Sequence, residues 1–481
     1  MQSRWLCYSD MADGSWLMAM VKWTTTNHQT IAISPQPLAM TRVLLLATTT
    51  GYQTRAFGEA AERLGVDLVF ATDRCHLIED PWQDHAIPIR FYDEDASVAA
   101  IVQVAKARPI DGVLVVGDRP TVIGARVAQA FGLPGHPPEA AAIARHKQLT
   151  RERLRDAGLP VPWFFPVAID PQSSALSPQP SALDRAPLTY PCIVKPVALS
   201  GSRGVMRADD PSTFGAALER LRALMRTREV RAERNEAHDT VLVEGFIPGR
   251  EYAVEGLLHR GALNVLAIFD KPDPLDGPFF EETIYVTPSS APADVQTRIV
   301  STVASAADAI GLHHGPVHAE CRVNPSTGSG QAEVFVLEVA ARPIGGLCAR
   351  ALRLQSAISN PQSAISLEEL LLRHALGENP GAWRRESDAS GVMMIPIPRR
   401  GIFRGVEGID AARQAPGVED VLITAKVDQL LLPLPEGASY LGFIFARADR
   451  AAGVEQALRT AHARLAFAID PEFPVLTEAP V

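Results

Sequence analysis

The chain has 481 residues, 47% of them hydrophobic and 21% charged, with a formal net charge of −9. Such a length suggests about three domains of ~100–200 residues each. The acidic balance argues against a nucleic-acid-binding surface, and no apolar run reaches the ~18–20 residues that span a bilayer. The cysteines (Cys7, Cys75, Cys192, Cys321, Cys348) are odd in number and lack C-x-x-C spacing. They argue for a reducing, cytoplasmic setting and against a disulfide scaffold or a zinc site.

Residues 1–39 stand apart. They hold three of the six tryptophans and, with Met40, five of the nine methionines. They show no sustained period and no signal-peptide layout. Met40-Thr41-Arg42 followed by Val43–Ala47 reads as a true start, so residues 1–40 are expected to be a disordered extension or a mis-assigned start. From Val43 the pattern alternates: strand Val43–Ala47, helix Arg55–Leu64, strand Val66–Phe70, helix Val98–Ala107, and strand 111–116 ending in Gly117-Asp118. Continuous Val/Leu strands between helices predict a parallel α/β domain over residues 41–145. The Pro/Ser/Gln-rich stretch within 168–187 and the tandem Gln-Ser-Ala-Ile-Ser copies within 354–366 read as exposed low-complexity inserts. Residues 190–350 alternate short strands with one long charged helix, about Pro211–Arg231, an α+β pattern. After Ser390, strands are expected at Gly391–Pro396, Val421–Ala425, Leu430–Leu434 and Tyr440–Ala446. With a Gly-rich hairpin near Arg400–Gly408 and helix Ala452–Leu465, they make a small C-terminal α+β domain (386–481).

Two apolar strands carry acids: Gly315-Pro316-Val317-His318-Ala319-Glu320 and Val334–Glu338, the second running on into Arg342-Pro343-Ile344-Gly345-Gly346. A buried strand-borne carboxylate is costly unless a cation meets it, and Mg²⁺ bound to a polyphosphate takes one or two such carboxylates. The bland reading is a pair of salt bridges to Arg322 and Arg342; two acids on adjacent strands, followed by Arg-Pro-x-Gly-Gly, favour a metal. Upstream, Ile193-Val194-Lys195-Pro196 is a strand ending in lysine. It leads into Leu199-Ser200-Gly201-Ser202-Arg203-Gly204, whose small residues let backbone N–H groups approach phosphate. Val241–Tyr252 is strand, turn, strand: Glu244 is placed to accept from an adenine amino group, the backbone of Gly245, Phe246 and Ile247 to read the ring edge, and Glu251 to accept from ribose hydroxyls. The Pro-rich loop 270–285 sets Phe279 and Phe280 beside Glu281 and Glu282, either of which can hold a substrate ammonium. A metal at His313 and His314 is not expected, since no third ligand is suggested nearby.

Taken in order, Lys147, Lys195, the 199–204 loop, Glu244, Glu251, Glu320, Glu338 and Arg342 resemble the ATP-grasp superfamily, within it the carboxylate–amine ligases of the L-amino acid ligase and carnosine-synthase-like branch. The resemblance implies the ATP-grasp fold: a leading parallel α/β domain, a two-lobed α+β nucleotide-binding core (146–385) with a lid at about 188–246, and a small C-terminal α+β domain. It implies ATP and Mg²⁺ (or Mn²⁺) as cofactors, small carboxylate and amine substrates, and a homodimer. Lys147 and Lys195 match the nucleotide lysines, and Ser200, Gly201, Ser202 and Gly204 the loop over the transferred phosphoryl group. Glu320 and Glu338 match the metal carboxylates. Arg342 matches the arginine near the γ-phosphate and bound carboxylate, His318 a substrate-side group, and Gly345 and Gly346 a substrate loop. Where many members have Asn, this chain has Ala340. The resemblance leaves open a biotin-carboxylase-like or purine-biosynthesis enzyme activating bicarbonate or another small carboxylate. A non-catalytic nucleotide-binding module also stays open. A nicotinamide-dependent oxidoreductase is disfavoured because residues 47–51 lack G-x-G-x-x-G.

Overall fold

The computed structural model describes residues 41–48, 51–73, 86–169, 188–324, 332–356 and 364–472, with two short strands at Trp5–Tyr8 and Leu17–Met20. Those two strands pair antiparallel as a sheet of their own; the rest of the 1–40 segment lies outside the described residues.

Strands β1 (Arg42–Ala47), β2 (Asp67–Thr72) and β3 (Gly112–Val116) form a parallel sheet with a short edge strand at Ile87–Pro88. All six residues of β1 are buried, as a continuous apolar run in a doubly covered parallel sheet requires. Helices α1 (Gly51–Leu64), α2 (Glu94–Ala105) and α3 (Thr121–Phe131) complete the leading α/β domain. Helix α3 stops at Gly132, whose φ of 66° closes the helix in the left-handed region. Helices α4 (Pro138–Ala144) and α5 (Lys147–Asp156) lead out of it.

The lid is a four-stranded antiparallel sheet, order β4-β7-β5-β6, of β4 (Phe164–Ala168), β5 (Cys192–Pro196), β6 (Met206–Ala208) and β7 (Thr240–Gly245). It therefore takes in a strand upstream of residue 188. Between β6 and β7, the long helix expected to Arg231 ends at Met225 (α6, Pro211–Met225) and a short second turn follows. Asp210 starts α6 through a capping box with Thr213.

The second lobe is an eight-stranded antiparallel sheet, order β12-β11-β8-β9-β10-β13-β15-β14. Its strands are β8 (Arg250–His259), β9 (Ala262–Asp270), β10 (Ile284–Thr287), β11 (Gly315–Asn324), β12 (Glu333–Ala340), β13 (Ala389–Ile395), β14 (Val418–Ile423) and β15 (Gly442–Ala448). Helices α7 (Ala293–Ile310), α8 (Leu367–Ala375) and α9 (Ala451–His462) pack around it. The C-terminal strands thus continue the sheet of the core through the β10–β13 pairing, Ile284 to Met393 through Thr287 to Ser390. Gly401–Glu407 is not half of a hairpin; it pairs with Leu430–Leu431 and Ala466–Asp470, which are remote in sequence. The flanks of the second insert are not exposed loop either: Arg353–Ser356 pairs with Ile365–Ser366 and Trp383–Arg385, and Leu354 and Ile365 are buried. Residues 170–187 and 357–363 of the inserts lie outside the described residues.

Candidate active site

A cleft between the lid and the second lobe collects the residues expected to bind nucleotide. Lys147, Lys195, Ser200, Gly201, Ser202, Glu244, Gly245, Phe246, Ile247, Glu251, Glu320 and Glu338 all line it; Gly204 closes the same loop with φ +76°. Lys147 opens α5 and donates to the Leu199 carbonyl at 2.6 Å while lying 3.3 Å from Glu338. One turn on, the same helix face carries Arg151, 1% exposed, which forks onto Glu244 at 2.9 and 3.3 Å and donates to the carbonyls of Val336 and Leu337.

Glu244 lines the cleft, and its carboxylate also pairs with Arg151 and with Lys195, the latter 2.5 Å away on the neighbouring strand. Burial alone would raise its pKa, but the two cations hold it at about 2. Burial drives Lys195 the other way, to about 8, against the pull of Glu244. Beside Glu244 in the cleft lies the Phe246 ring, which has the guanidinium groups of Arg207 and Arg322 at 4.4 and 5.2 Å from its centre. Glu251 is likewise engaged, with Lys271 at 2.7 Å and Arg322 at 2.9 Å.

Glu320 and Glu338 face each other in register across β11 and β12, beside a bulge at Glu320/Cys321. Their carboxylates nonetheless part company. Glu338 leans to Lys147, whereas Glu320 joins Glu251 and Glu282 in a group whose ligand oxygens lie within 4.8 Å of one another. Lys271 sits among these three acids, bonded to Glu251 and Glu282 and 3.5 Å from Glu320. Burial and the neighbouring Glu320 push Glu282 up to about 7. Glu282 therefore belongs with the acidic cluster, while Glu281 lines neither this cleft nor the next.

A second cleft opens from the first and shares Gly201, Glu282 and Glu320 with it. His318, Arg342, Gly345 and Gly346 line it, and Thr424, Gln429, Ser439 and Tyr440 of the C-terminal region close its far side. Arg342 is clamped by both oxygens of Asp118, at 2.8 and 3.1 Å, across 224 residues of sequence. Asp118 ends the turn after β3, so the leading domain aims this arginine. His318 lies 3.1 Å from Glu255 and 3.7 Å from Glu320. Burial opposes its charge, yet the two carboxylates raise its pKa to about 9. Glu255, fully buried, also accepts from the Ile344 N–H, which fixes the start of the Gly345-Gly346 turn. The lid loop is latched to the C-terminal region: Gly204 N–H donates to the Pro435 carbonyl, Arg203 to the Glu436 carbonyl, and Arg220 forks onto the Glu436 carboxylate.

Arg151, Asp118, Glu255 and Lys271 were not singled out from the sequence as site residues. Two left a signal there. Glu255 interrupts the apolar strand 252–258, and Arg151 is one helical turn from Lys147.

The chain is similar to known proteins over most of its length. The family description "ATP-grasp domain" matches residues 188–351, "ATP-grasp N-terminal domain" residues 58–135, and "L-amino acid ligase C-terminal domain 2" residues 393–470. An uncharacterised protein of Sinorhizobium fredii, y4rH, is 24% identical over 90% of this chain and 84% of its own. Alanine–anticapsin ligase of Bacillus amyloliquefaciens is 26% identical over 52% of each chain, so this chain spans about half the length of that relative. The crystal structure of an L-amino acid ligase from Bacillus licheniformis superposes with a TM-score of 0.71 and 27% identity, covering 89% of this chain and 99% of that one. Among the described residues, no helix is long and apolar enough to cross a membrane.

Proposed function

We propose that this chain, a member of the ATP-grasp superfamily, is a carbon–nitrogen ligase that joins a small carboxylate to an amine at the expense of ATP, through an acyl phosphate, with an amino acid as one substrate. The observation that carries this reading is the pair of communicating clefts that share Gly201, Glu282 and Glu320: one fits a nucleotide, and the other presents a clamped arginine to an anion beside it.

The acids offer carboxylate oxygen only, which suits a hard cation: Glu251, Glu282 and Glu320 lie close together around the Lys271 ammonium, and Glu338 stands beside Lys147. Glu320 and Glu338 would hold Mg²⁺ or Mn²⁺, with Glu282 beside Glu320. When bound, the ion neutralises charge on the phosphates. Lys147 and Lys195 face the phosphates, and Ser200–Gly204 covers them. Arg342, held by Asp118, orients the substrate carboxylate. One oxygen of that carboxylate attacks the γ-phosphorus, the bond to the β–γ bridging oxygen breaks, and ADP leaves. An amine then attacks the acyl carbon and phosphate departs. Glu255 and Glu320 favour the protonated form of His318, which would add positive charge beside the reacting groups. The latch on Pro435 and Glu436 keeps water from the acyl phosphate.

The test is release of ADP and phosphate with Mg²⁺-ATP, across single amino acids and then pairs, with Glu338→Gln as the control. Turnover that requires a carboxylate–amine pair and is lost in the variant supports the proposal. Turnover stimulated by bicarbonate alone overturns it.

A further inference from the structure

Three histidines from separate parts of the sequence meet behind the catalytic strands. His259 ends β8, His314 directly precedes β11, and His374 lies in the last turn of α8. Each offers one ring nitrogen, and these nitrogens lie within 4.8 Å of one another. His259 Nδ1 and His374 Nε2 are 3.3 Å apart, about the edge of a tetrahedron whose ligands sit ~2.0–2.1 Å from a central ion. The rings of His314 and His374 stack with centroids 4.2 Å apart. A pair of isolated histidines at 313 and 314 gave no reason to expect a metal; folding supplies the two further ligands.

The second observation is His314 itself. It is 6% exposed, and neither of its ring nitrogens has a hydrogen bond of good geometry; the His374 backbone gives it only a weak hydrogen-bonding contact. A buried imidazole without a good partner is costly, and its neighbour His136 shows the usual remedy. His136 Nε2 contacts the Pro316 carbonyl at 3.1 Å and its Nδ1 accepts from the His313 N–H, so both nitrogens are used and His136 is not a ligand. The His259 Nδ1 and His374 Nε2 contact is itself at hydrogen-bond distance, one ring donating to the other, and an ion held between them would replace it. His313 and Arg260 also act on His314 and add positive potential, so a weakly held cation gains nothing there.

We propose that His259, His314 and His374 form a transition-metal site, separate from the oxygen-lined catalytic cluster and selective for Zn²⁺, Co²⁺ or Ni²⁺ over Mg²⁺. All-imidazole donors suit these borderline ions and not hard ones. The ion is structural. It staples α8 to the strands that carry Glu255 and His318, at the place where α8 packs on the leading domain: a Cβ on Gly112 of β3 would come within 2.9 Å of the Ala375 carbonyl.

The experiment uses tag-free full-length protein stripped with chelator and titrated with Co²⁺ alone. One equivalent should give the visible absorption of a tetrahedral or five-coordinate site and raise Tm, and Zn²⁺ should bleach the colour. Mg²⁺ at millimolar level should do neither. His259→Ala, at the only partly exposed member of the three, should fold but lose both colour and Tm shift. His314→Leu, which removes the poorly partnered ring, should do the same while matching or exceeding the stripped wild type in Tm. Colour that survives both variants, or no colour in the wild type, overturns the proposal and leaves three packed imidazoles.

Discussion

Glu244→Gln separates two readings of one side chain. If Glu244 reads adenine, the substitution alters nucleotide preference and leaves stability alone. The structure leads to the opposite expectation. Glu244 is 3% exposed and accepts two bonds from Arg151 and one from Lys195, themselves 1% and 6% exposed. Glutamine keeps one acceptor oxygen but turns an N–H₂ group toward cations that can only donate. Removing one partner of a buried pair costs about 3–5 kcal/mol, because the remaining charge stays buried; here two cations remain. Lys195 also loses the group that raises its pKa, so its charge is held less firmly. The assay is equilibrium urea unfolding of Glu244→Gln, Lys195→Met and the double variant, with ATP KM measured in parallel. Glu244→Gln should lose at least ~3 kcal/mol, and Lys195→Met in the same background should recover part of it. ATP KM should rise at least tenfold without a shift toward other purine nucleotides. A loss under ~1 kcal/mol together with a changed base preference refutes the ion-pair account.

Two other expectations rest on the same cleft. Lys195 has its folded-state pKa depressed to about 8, so its charge is present below that pH and lost as pH rises through it. The ratio kcat/KM for ATP, which reports groups of the free enzyme, should fall above about pH 8, and Lys195→Arg should flatten that limb. Asp118→Asn removes the charge opposite Arg342 and half of its bidentate clamp; kcat/KM for the carboxylate substrate should drop at least tenfold while ATP KM stays within about twofold, and equal losses on both substrates would show that the contact is only architectural.

The strand-borne acids, the Lys195 strand, the small-residue loop and the alternating pattern of the leading domain were legible because each is written within about ten consecutive residues. The partnerships were not. Arg342 finds Asp118 across 224 residues, Arg151 finds Glu244 across 93, and His259 finds His374 across 115. Nothing in a local period says which cation a buried acid meets, so the pairing of Glu244 with Arg151 and Lys195, and of Glu251 with Lys271 and Arg322, could not be read there. The same blindness hid the lateral continuity of the main sheet: a strand's edge partner is set by long-range packing, and β13 reads in sequence like the start of a new domain.

The continuity of β10 and β13 bears on how such a protein can diversify. Tyr440 and Phe443 wall the second cleft from a segment hydrogen-bonded edge to edge into the scaffold that carries Glu320. Exchanging residues 386–470 for those of a relative is therefore not the swap of a detachable cassette. The incoming piece must reproduce the Ile284–Met393 register, and a slip of one residue would turn its pocket side chains away from the cleft. Changes of substrate should accumulate as point replacements on the cleft-facing side of β15 and the 424–440 loops, with the register of β13 held fixed.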